Sequence, residues 1–316
     1  MFVHPAHQRI LHTFVVLGLL LMLVLPLAFL PQAPGPFVPL PGGVPKQTPV
    51  ATAPPVPAAP PGDSRFLIVG LTQDEHRTDS IIVVQWDEAR HEARILGVPR
   101  DIAVNLDRIG TTKLVHAYAT GGIGRARAAV VKLLDIPISH YIVFSLPAMR
   151  HLVDLIGGVP LTVEKRMVYT DREQGLYIDL QPGPQVLDGA RAEEYVRFRN
   201  DPEGDIGRIH RQQHFLRAAL TALRRPAVWI RLPRILETAQ AEIGTDLTKG
   251  QLLGWAGRAQ GLSADAISAY SIEGQPVDLY DNLMHMKLSF WQPDPDDLRA
   301  KVRWLLTGIT PPPTKP

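Results

Sequence analysis

Residues Phe66–Trp86 read FLIVGLTQDEHRTDSIIVVQW. Two apolar runs rich in β-branched residues, Phe66–Gly70 and Ile81–Trp86, flank the polar segment Leu71–Ser80. Neither run alternates apolar with polar, and each has strand length, so both are expected as strands buried on two faces, with a loop between them. Ala93–Val98, Tyr141–Ser145 and Val159–Val163 extend the strand set. Helix signals are interspersed: Gly124–Leu134 after the flexible-looking Gly121–Gly124 (GGIG), Pro147–Ile156, and the long Ile206–Leu223. In the second of these, proline stands at the first helical position and Gly157–Gly158 supplies the stop. Strands that are apolar throughout need cover on both faces. The fold class expected is therefore α/β, an α-β-α sandwich with a mixed central sheet over residues 63–245. Helices near Thr248–Gln260 and Pro295–Leu306 flank a short strand-like region, giving a C-terminal extension (246–309) packed on the same domain and a frayed tail (310–316).

The chain of 316 residues carries a formal charge of +2, which does not suit a nucleic-acid coat or an acidic disordered tail. It has no cysteine, which excludes disulfides, thiolate zinc sites and cysteine nucleophiles. Leu11–Leu30 (LHTFVVLGLLLMLVLPLAFL) holds no acid, lysine or arginine over 20 residues, about one hydrocarbon thickness as a helix. Arg9 precedes it and no Lys or Arg follows until Lys46, which favours residues 1–10 in the cytoplasm and the folded part outside. The reading is a single-pass membrane anchor; a cleaved signal peptide is the rival, opposed by the length of the apolar core and the missing A-x-A site. Pro31–Pro61 contains 12 prolines in 31 residues, a semi-rigid spacer (31–62) holding the folded part off the membrane.

Polar clusters sit at strand and helix ends. In YVRFR (Tyr195–Arg199), an extended chain places Arg197 and Arg199 on one side and packs Val196 and Phe198 on the other. On the helix that follows, Asp205, Arg208 and Gln212 share a face and Arg211 turns well aside. Convergent guanidiniums hold phosphate by fork-shaped, charge-assisted bonds. A solvated face with local salt bridges is the bland alternative. Arg77 and Asp79 precede one apolar strand and Arg100 and Asp101 follow another; they read as displayed chemistry or simply as turn residues. Asp79 and Asp101 are the carboxylates a hard cation such as Mg²⁺ would choose. No H-E-x-x-H, Walker A, G-x-S-x-G or G-x-G-x-x-G pattern occurs.

From Phe66 to Arg217 the chain resembles the LytR-CpsA-Psr family of bacterial cell-envelope proteins. The matching pieces, in the family's order, are HRTDSIIVV (76–84), VPRD (98–101), KLVHAYATGG (113–122), HYIVFS (140–145), LVDLIGGVPLTV (152–163), the PG…LDG stretch (182–189), YVRFR (195–199) and GDIGRIHRQQ (204–213). The resemblance implies an α-β-α core whose apolar pocket takes the polyprenyl tail of a lipid carrier. The implied activity is phosphotransfer of a glycopolymer from polyprenyl-pyrophosphate to a peptidoglycan hydroxyl with Mg²⁺, and water attack would give a pyrophosphatase side reaction. Carried over residue by residue, Arg77, Arg100, Arg197, Arg199 and Arg208 grip the pyrophosphate, Asp79 is the metal ligand, Asp205 and Gln212 support the site, and Asp79 or Asp101 accepts the hydroxyl proton. The older label of transcriptional attenuator conflicts with an anchored topology, which leaves no role for direct DNA binding.

One departure stands out. The family usually carries an Asp two residues after the glycine ending the first strand, whereas this chain has Thr72 in GLTQDEHRTD, and the Arg that follows in the family is missing too. Asp74 or Glu75 would have to reach in, or Asp79 would hold the metal without help. The competing reading is therefore a non-catalytic envelope module that binds polyprenyl lipid or glycan. A cytosolic nucleic-acid regulator is a third class, opposed by Leu11–Leu30 and the near-neutral charge.

Overall fold

The computed structural model describes residues 63–71, 78–172, 176–198, 211 and, with short gaps, 214–311. The expected anchor, the proline-rich spacer and most of the tail lie outside the described residues. Among the described residues no helix is long and apolar enough to cross a membrane.

In chain order the elements are β1 (Asp63–Leu71), β2 (Thr78–Asp87), β3 (Glu92–Gly97), β4 (Ala103–Leu106), β5 (Gly110–Lys113), α1 (Val115–Leu134) and β6 (His140–Ser145). Then come α2 (Leu146–Leu155), β7 (Val159–Val163), β8 (Met167–Asp171), β9 (Leu176–Leu180), β10 (Gly183–Leu187) and α3 (Gly189–Arg197). The remainder is α4 (Pro226–Ile230), β11 (Gly244–Thr245), α5 (Lys249–Arg258), β12 (Ile267–Ser271), β13 (Gly274–Asp281), β14 (Met286–Pro293) and α6 (Pro295–Thr307). The described residues fall into two compact units, one made of residues 63–143 with 265 onward, the other of 144–264.

The first unit carries the sheet. β1–β2 and β2–β3 pair antiparallel while β12 joins β3 in parallel, and β6 lies on the other side of β1. The sheet is thus mixed, as expected. Leu67, Val69, Ile81, Val83 and Leu96 pack on Ile123, Ala126 and Val130 of α1 and on Trp304 and Leu305 of α6. Phe66, Ile68, Ile82 and Val84, on the opposite face, are buried as well, which is why neither β1 nor β2 alternates in sequence. α1 begins at Val115, nine residues before the expected Gly124, because Val115, Ala117, Tyr118 and Ala119 already bury against the core. The expected GGIG loop contracts to a kink, with non-helical dihedrals at Gly121 and Gly122 only.

In the second unit, α2 forms where expected. The Ala148 amide donates to Ser145 Oγ, which caps the helix, Pro147 fits its first turn, and Gly157 (φ +79°) and Gly158 (φ +76°) end it. β7 pairs with β10 and β8 with β9, each antiparallel. The strand reading of YVRFR is corrected here: Tyr195, Val196 and Arg197 are the last turn of α3, and only Phe198, its C-cap, is extended. The decisive local terms are Asp188, which caps the helix by accepting from the Arg191 amide, and the Glu193–Arg197 pair one turn apart. Val196 and Phe198 are nevertheless both buried, as the strand reading also required. Arg211, Ala219 and Ala222 are helical and buried within the expected Ile206–Leu223 helix, much of which lies outside the described residues.

Candidate active site

β3 hands the chain directly to VPRD. The Val98 amide still donates to Ile81 O at 2.9 Å, so the motif leaves the sheet from a paired strand. Its backbone is then held from two sides, by the Val115 amide on Arg100 O at 2.8 Å and the Trp291 amide on Asp101 O at 2.9 Å. The side chains form a small charge cluster. Lys113 Nζ donates to Asp101 Oδ1 at 2.8 Å, and Arg100 Nε lies 3.8 Å from Oδ2. Lys113 also stands 5.7 Å from the centroid of the Phe290 ring. Two cations thus flank one carboxylate; the Arg100 side chain is 27% exposed and that of Lys113 only 10%. Arg100 is the cation that reaches solvent, and Lys113 is the strut behind it.

Lys113 has no local sequence signal that ties it to Asp101. The tie comes from the β4–β5 hairpin, whose register pairs Ala103 with Lys113; the turn-like Asp107–Gly110 between two β-branched runs is the signal that finds it. Beneath this cluster, the Thr112 hydroxyl donates to both carboxylate oxygens of Asp281, at 3.0 and 2.9 Å, and lies 2.7 Å from His116 Nδ1. The Leu283 and Met284 amides donate to the same buried Asp281, closing the turn between β13 and β14. The C-terminal hairpin is thereby locked to the strand that supplies Lys113.

Asp79 lies on β2 where the register with β1 steps by a residue: Gly70 faces Ser80 and Leu71 faces Thr78. Such irregularities re-aim side chains beside active sites. Arg77, Thr72, Arg199, Asp205, Arg208 and Gln212 lie outside the described residues, as does the side chain of Asp79.

In the second unit, Arg197 Nη1 donates to Glu193 Oε1 at 2.7 Å, and Arg150 Nε donates to the other oxygen of that buried carboxylate. The bond to Glu193 raises the Arg150 pKa further above its ordinary value. Arg197 is thus braced rather than mobile, and its side chain is 11% exposed. Arg211, expected to turn aside from the face of Asp205, Arg208 and Gln212, is buried. Its Nη2 donates to Phe198 O at 2.7 Å, its guanidinium stacks 5.1 Å from the Phe198 ring, and Nη1 lies 3.6 Å from Glu164 Oε1. Tyr195 donates to Glu164 Oε2 at 3.0 Å and lies 3.0 Å from His214 Nδ1. Burial, reinforced by the Glu164 charge, pushes the Tyr195 phenol far up, so it remains a donor. Apart from Glu193–Arg197, one helical turn apart, these braces join residues distant in the chain and leave no mark in local spacing.

Asp101 is already engaged by Lys113 and stands 3.8 Å from Arg100 Nε. Among the described residues no group of three or more His, Asp or Glu could hold a metal ion.

A family model, the LytR_cpsA_psr family, matches residues 61–301. The chain belongs to the LytR-CpsA-Psr family. The match runs well past Arg217 and takes in β12, β13, β14 and most of α6. Among curated relatives, the Regulatory protein MsrR of Staphylococcus aureus (strain COL) is 30% identical over 191 residues, covering 59% of this chain and 57% of MsrR. The polyisoprenyl-teichoic acid–peptidoglycan teichoic acid transferase TagV of Bacillus subtilis (strain 168) is 28% identical over 235 residues, covering 72% of this chain and 58% of TagV. The chain therefore spans a little over half the length of these relatives. The crystal structure of B. subtilis TagV superposes with a TM-score of 0.60 at 24% identity, over 77% of this chain and 95% of that one, which shows a shared fold for this LytR-CpsA-Psr member.

Proposed function

We propose that the protein transfers a phosphate-linked glycopolymer from a polyprenyl-pyrophosphate carrier to a sugar hydroxyl of peptidoglycan. What carries the reading is the Arg100–Asp101–Lys113 cluster, two cations held at a strand end, in a chain of this family. TagV, a transferase by name, supports the choice of reaction class. The setting proposed is a single-pass anchor in the cell membrane with the folded part outside, since the donor is confined to the bilayer and the acceptor is not.

In this mechanism Arg77, Arg100, Arg197, Arg199 and Arg208 bind the diphosphate and offset the charge that develops on its equatorial and leaving oxygens. The acceptor hydroxyl oxygen bonds to the glycan-bearing phosphorus, the bridging P–O bond breaks, and polyprenyl phosphate departs in line carrying the electron pair. The hydroxyl proton goes to a carboxylate. Asp79 or Asp101 is that carboxylate. Mg²⁺ at Asp79, expected from the family resemblance, would screen phosphate charge when bound; no step above depends on it. Water in place of the sugar hydroxyl gives pyrophosphate hydrolysis.

Thr72, standing where the family has an acid, favours a second reading, a module that binds the lipid or glycan without transfer. The test is turnover of a synthetic polyprenyl-pyrophosphate glycan with peptidoglycan, by the full chain and by Arg100→Ala, Asp79→Asn and Thr72→Asp. Transfer lowered about 100-fold or more in the first two and raised in the third supports the transferase. Tight lipid binding that needs Arg100, without transfer or hydrolysis in any variant, supports the binding module.

A further inference from the structure

Ile230, at the end of α4, is 84% exposed, more than any other large hydrophobic side chain among the described residues. It is held on firm ground. Within its segment Val228 and Ile235 are buried, and Arg225 donates through Nη2 to the carbonyls of Ile156 and Gly158 at the end of α2. The same corner gathers Arg231 and Val186. A Cβ on Gly157 would lie 3.3 Å from Arg231 Nη1, and one on Gly158 would lie 2.7 Å from Val186 Cγ1. Val186 is 53% exposed, and Arg231 and Arg234 are both exposed.

The charge of this segment is one-sided. No acid occurs between Asp205 and Glu237, whereas Arg224, Arg225, Arg231 and Arg234 fall within RRPAVWIRLPR. A solvated face would mix signs, and a packed face would cover Ile230. Protruding apolar side chains beside the exposed Arg231 and Arg234 match an anionic lipid surface, with apolar tips entering the headgroup region and cations meeting phosphates.

We propose that the α2–α4 corner, with Ile230, Val186, Arg231 and Arg234, is a docking surface for anionic bilayer lipid, separate from the anchor. The proposal rests on the functional reading above in one respect: a lipid-linked donor is what keeps the folded part at the bilayer.

The absence of cysteine makes the test direct. The full chain with Ile230→Cys, labelled with an environment-sensitive dye, is placed one copy per nanodisc, in discs of phosphatidylcholine alone or with phosphatidylglycerol. A blue shift confined to the anionic discs and reversed by salt is expected. Arg231→Glu with Arg234→Glu should abolish it, because each arginine is worth about fivefold in the docked population. A dye as wet in anionic as in neutral discs overturns the proposal, as does a shift that needs two copies per disc. Transfer activity is measured on the same samples. Docking without transfer sinks the transferase and leaves the surface standing, while transfer without docking does the reverse.

Discussion

Arg211 is the residue that most changes the view of the arginine-rich stretch. A buried guanidinium persists only where its donors are used, and here the partners are the carbonyl at the end of α3, the Phe198 ring and Glu164. Phe198 stands between Arg197 and Arg199, so this bond fixes the direction in which the chain leaves the helix. Arg211→Met is expected to cost about 3 kcal/mol by urea unfolding, with Arg211→Lys recovering only part because it lacks the fork. A cost within about 0.5 kcal/mol, the level of an ordinary surface change, would mean that the contact is incidental. Glu193→Gln tests the matching brace: it removes the charge between Arg150 and Arg197, and a loss of about 2–3 kcal/mol is expected. At this scale the sequence was half legible. Arg100 and Asp101 could be found because they are neighbours in a motif. Lys113 was reachable only through the turn signal at Asp107–Gly110, and Arg150 not at all, since each meets its carboxylate only through a hairpin or a helix pair.

At the scale of elements, legibility followed the strength of local signals. The strands without alternation were found to within three residues, with Leu71 and Thr78–Ser80 of the expected loop belonging to strands, and the proline-to-diglycine span of α2 to within one, because burial on two faces and capping both leave composition marks. YVRFR failed for a physical reason. Five residues satisfy period two by chance, and the information that makes α3 a helix lies upstream, in the Asp188 cap and Glu193. The end of α2 offers a sharper test. Gly158 is left-handed, and a Cβ there would lie 2.8 Å from the backbone oxygen of Leu187 as well as touching Val186. Gly158→Ala combines an unfavourable φ with a backbone clash, and should lower stability by about 1–3 kcal/mol in chemical denaturation. The same change at Gly250, where nothing lies within 4 Å, sits inside α5 and should stabilise by about 0.5–1 kcal/mol. Equal effects at both glycines would remove the turn geometry as the cause.

For the first unit as a whole, closure depends on the chain's far end returning to the sheet. β12 lies parallel to β3, and Arg94 of β3 is buried beneath α6, donating through Nε to Leu305 O at 2.9 Å and through Nη2 to Asp87 Oδ2 at 3.0 Å. One guanidinium therefore satisfies carbonyls at the end of α6 and neutralises a carboxylate at the end of β2. Burial alone would push the Asp87 carboxyl up. The side-chain and backbone hydrogen bonds from Arg90, then the bond and charge of Arg94, together outweigh it and hold the pKa below the ordinary carboxylate value. The folded protein thus binds this proton less readily than the unfolded chain. The resulting stability is complete above the ordinary carboxylate range and is lost as pH falls through the lower, folded value. Asp87→Asn removes that dependence and leaves Arg94 with Glu92, 3.5 Å away, as its ionic partner among the described residues. The variant is expected to lose about 2–4 kcal/mol at pH 7 and to show a shallower decline than the parent between about pH 5 and pH 3. Urea midpoints measured across that interval decide it: parallel curves would mean that Asp87 gains nothing from folding and that α6 is held by its apolar face alone.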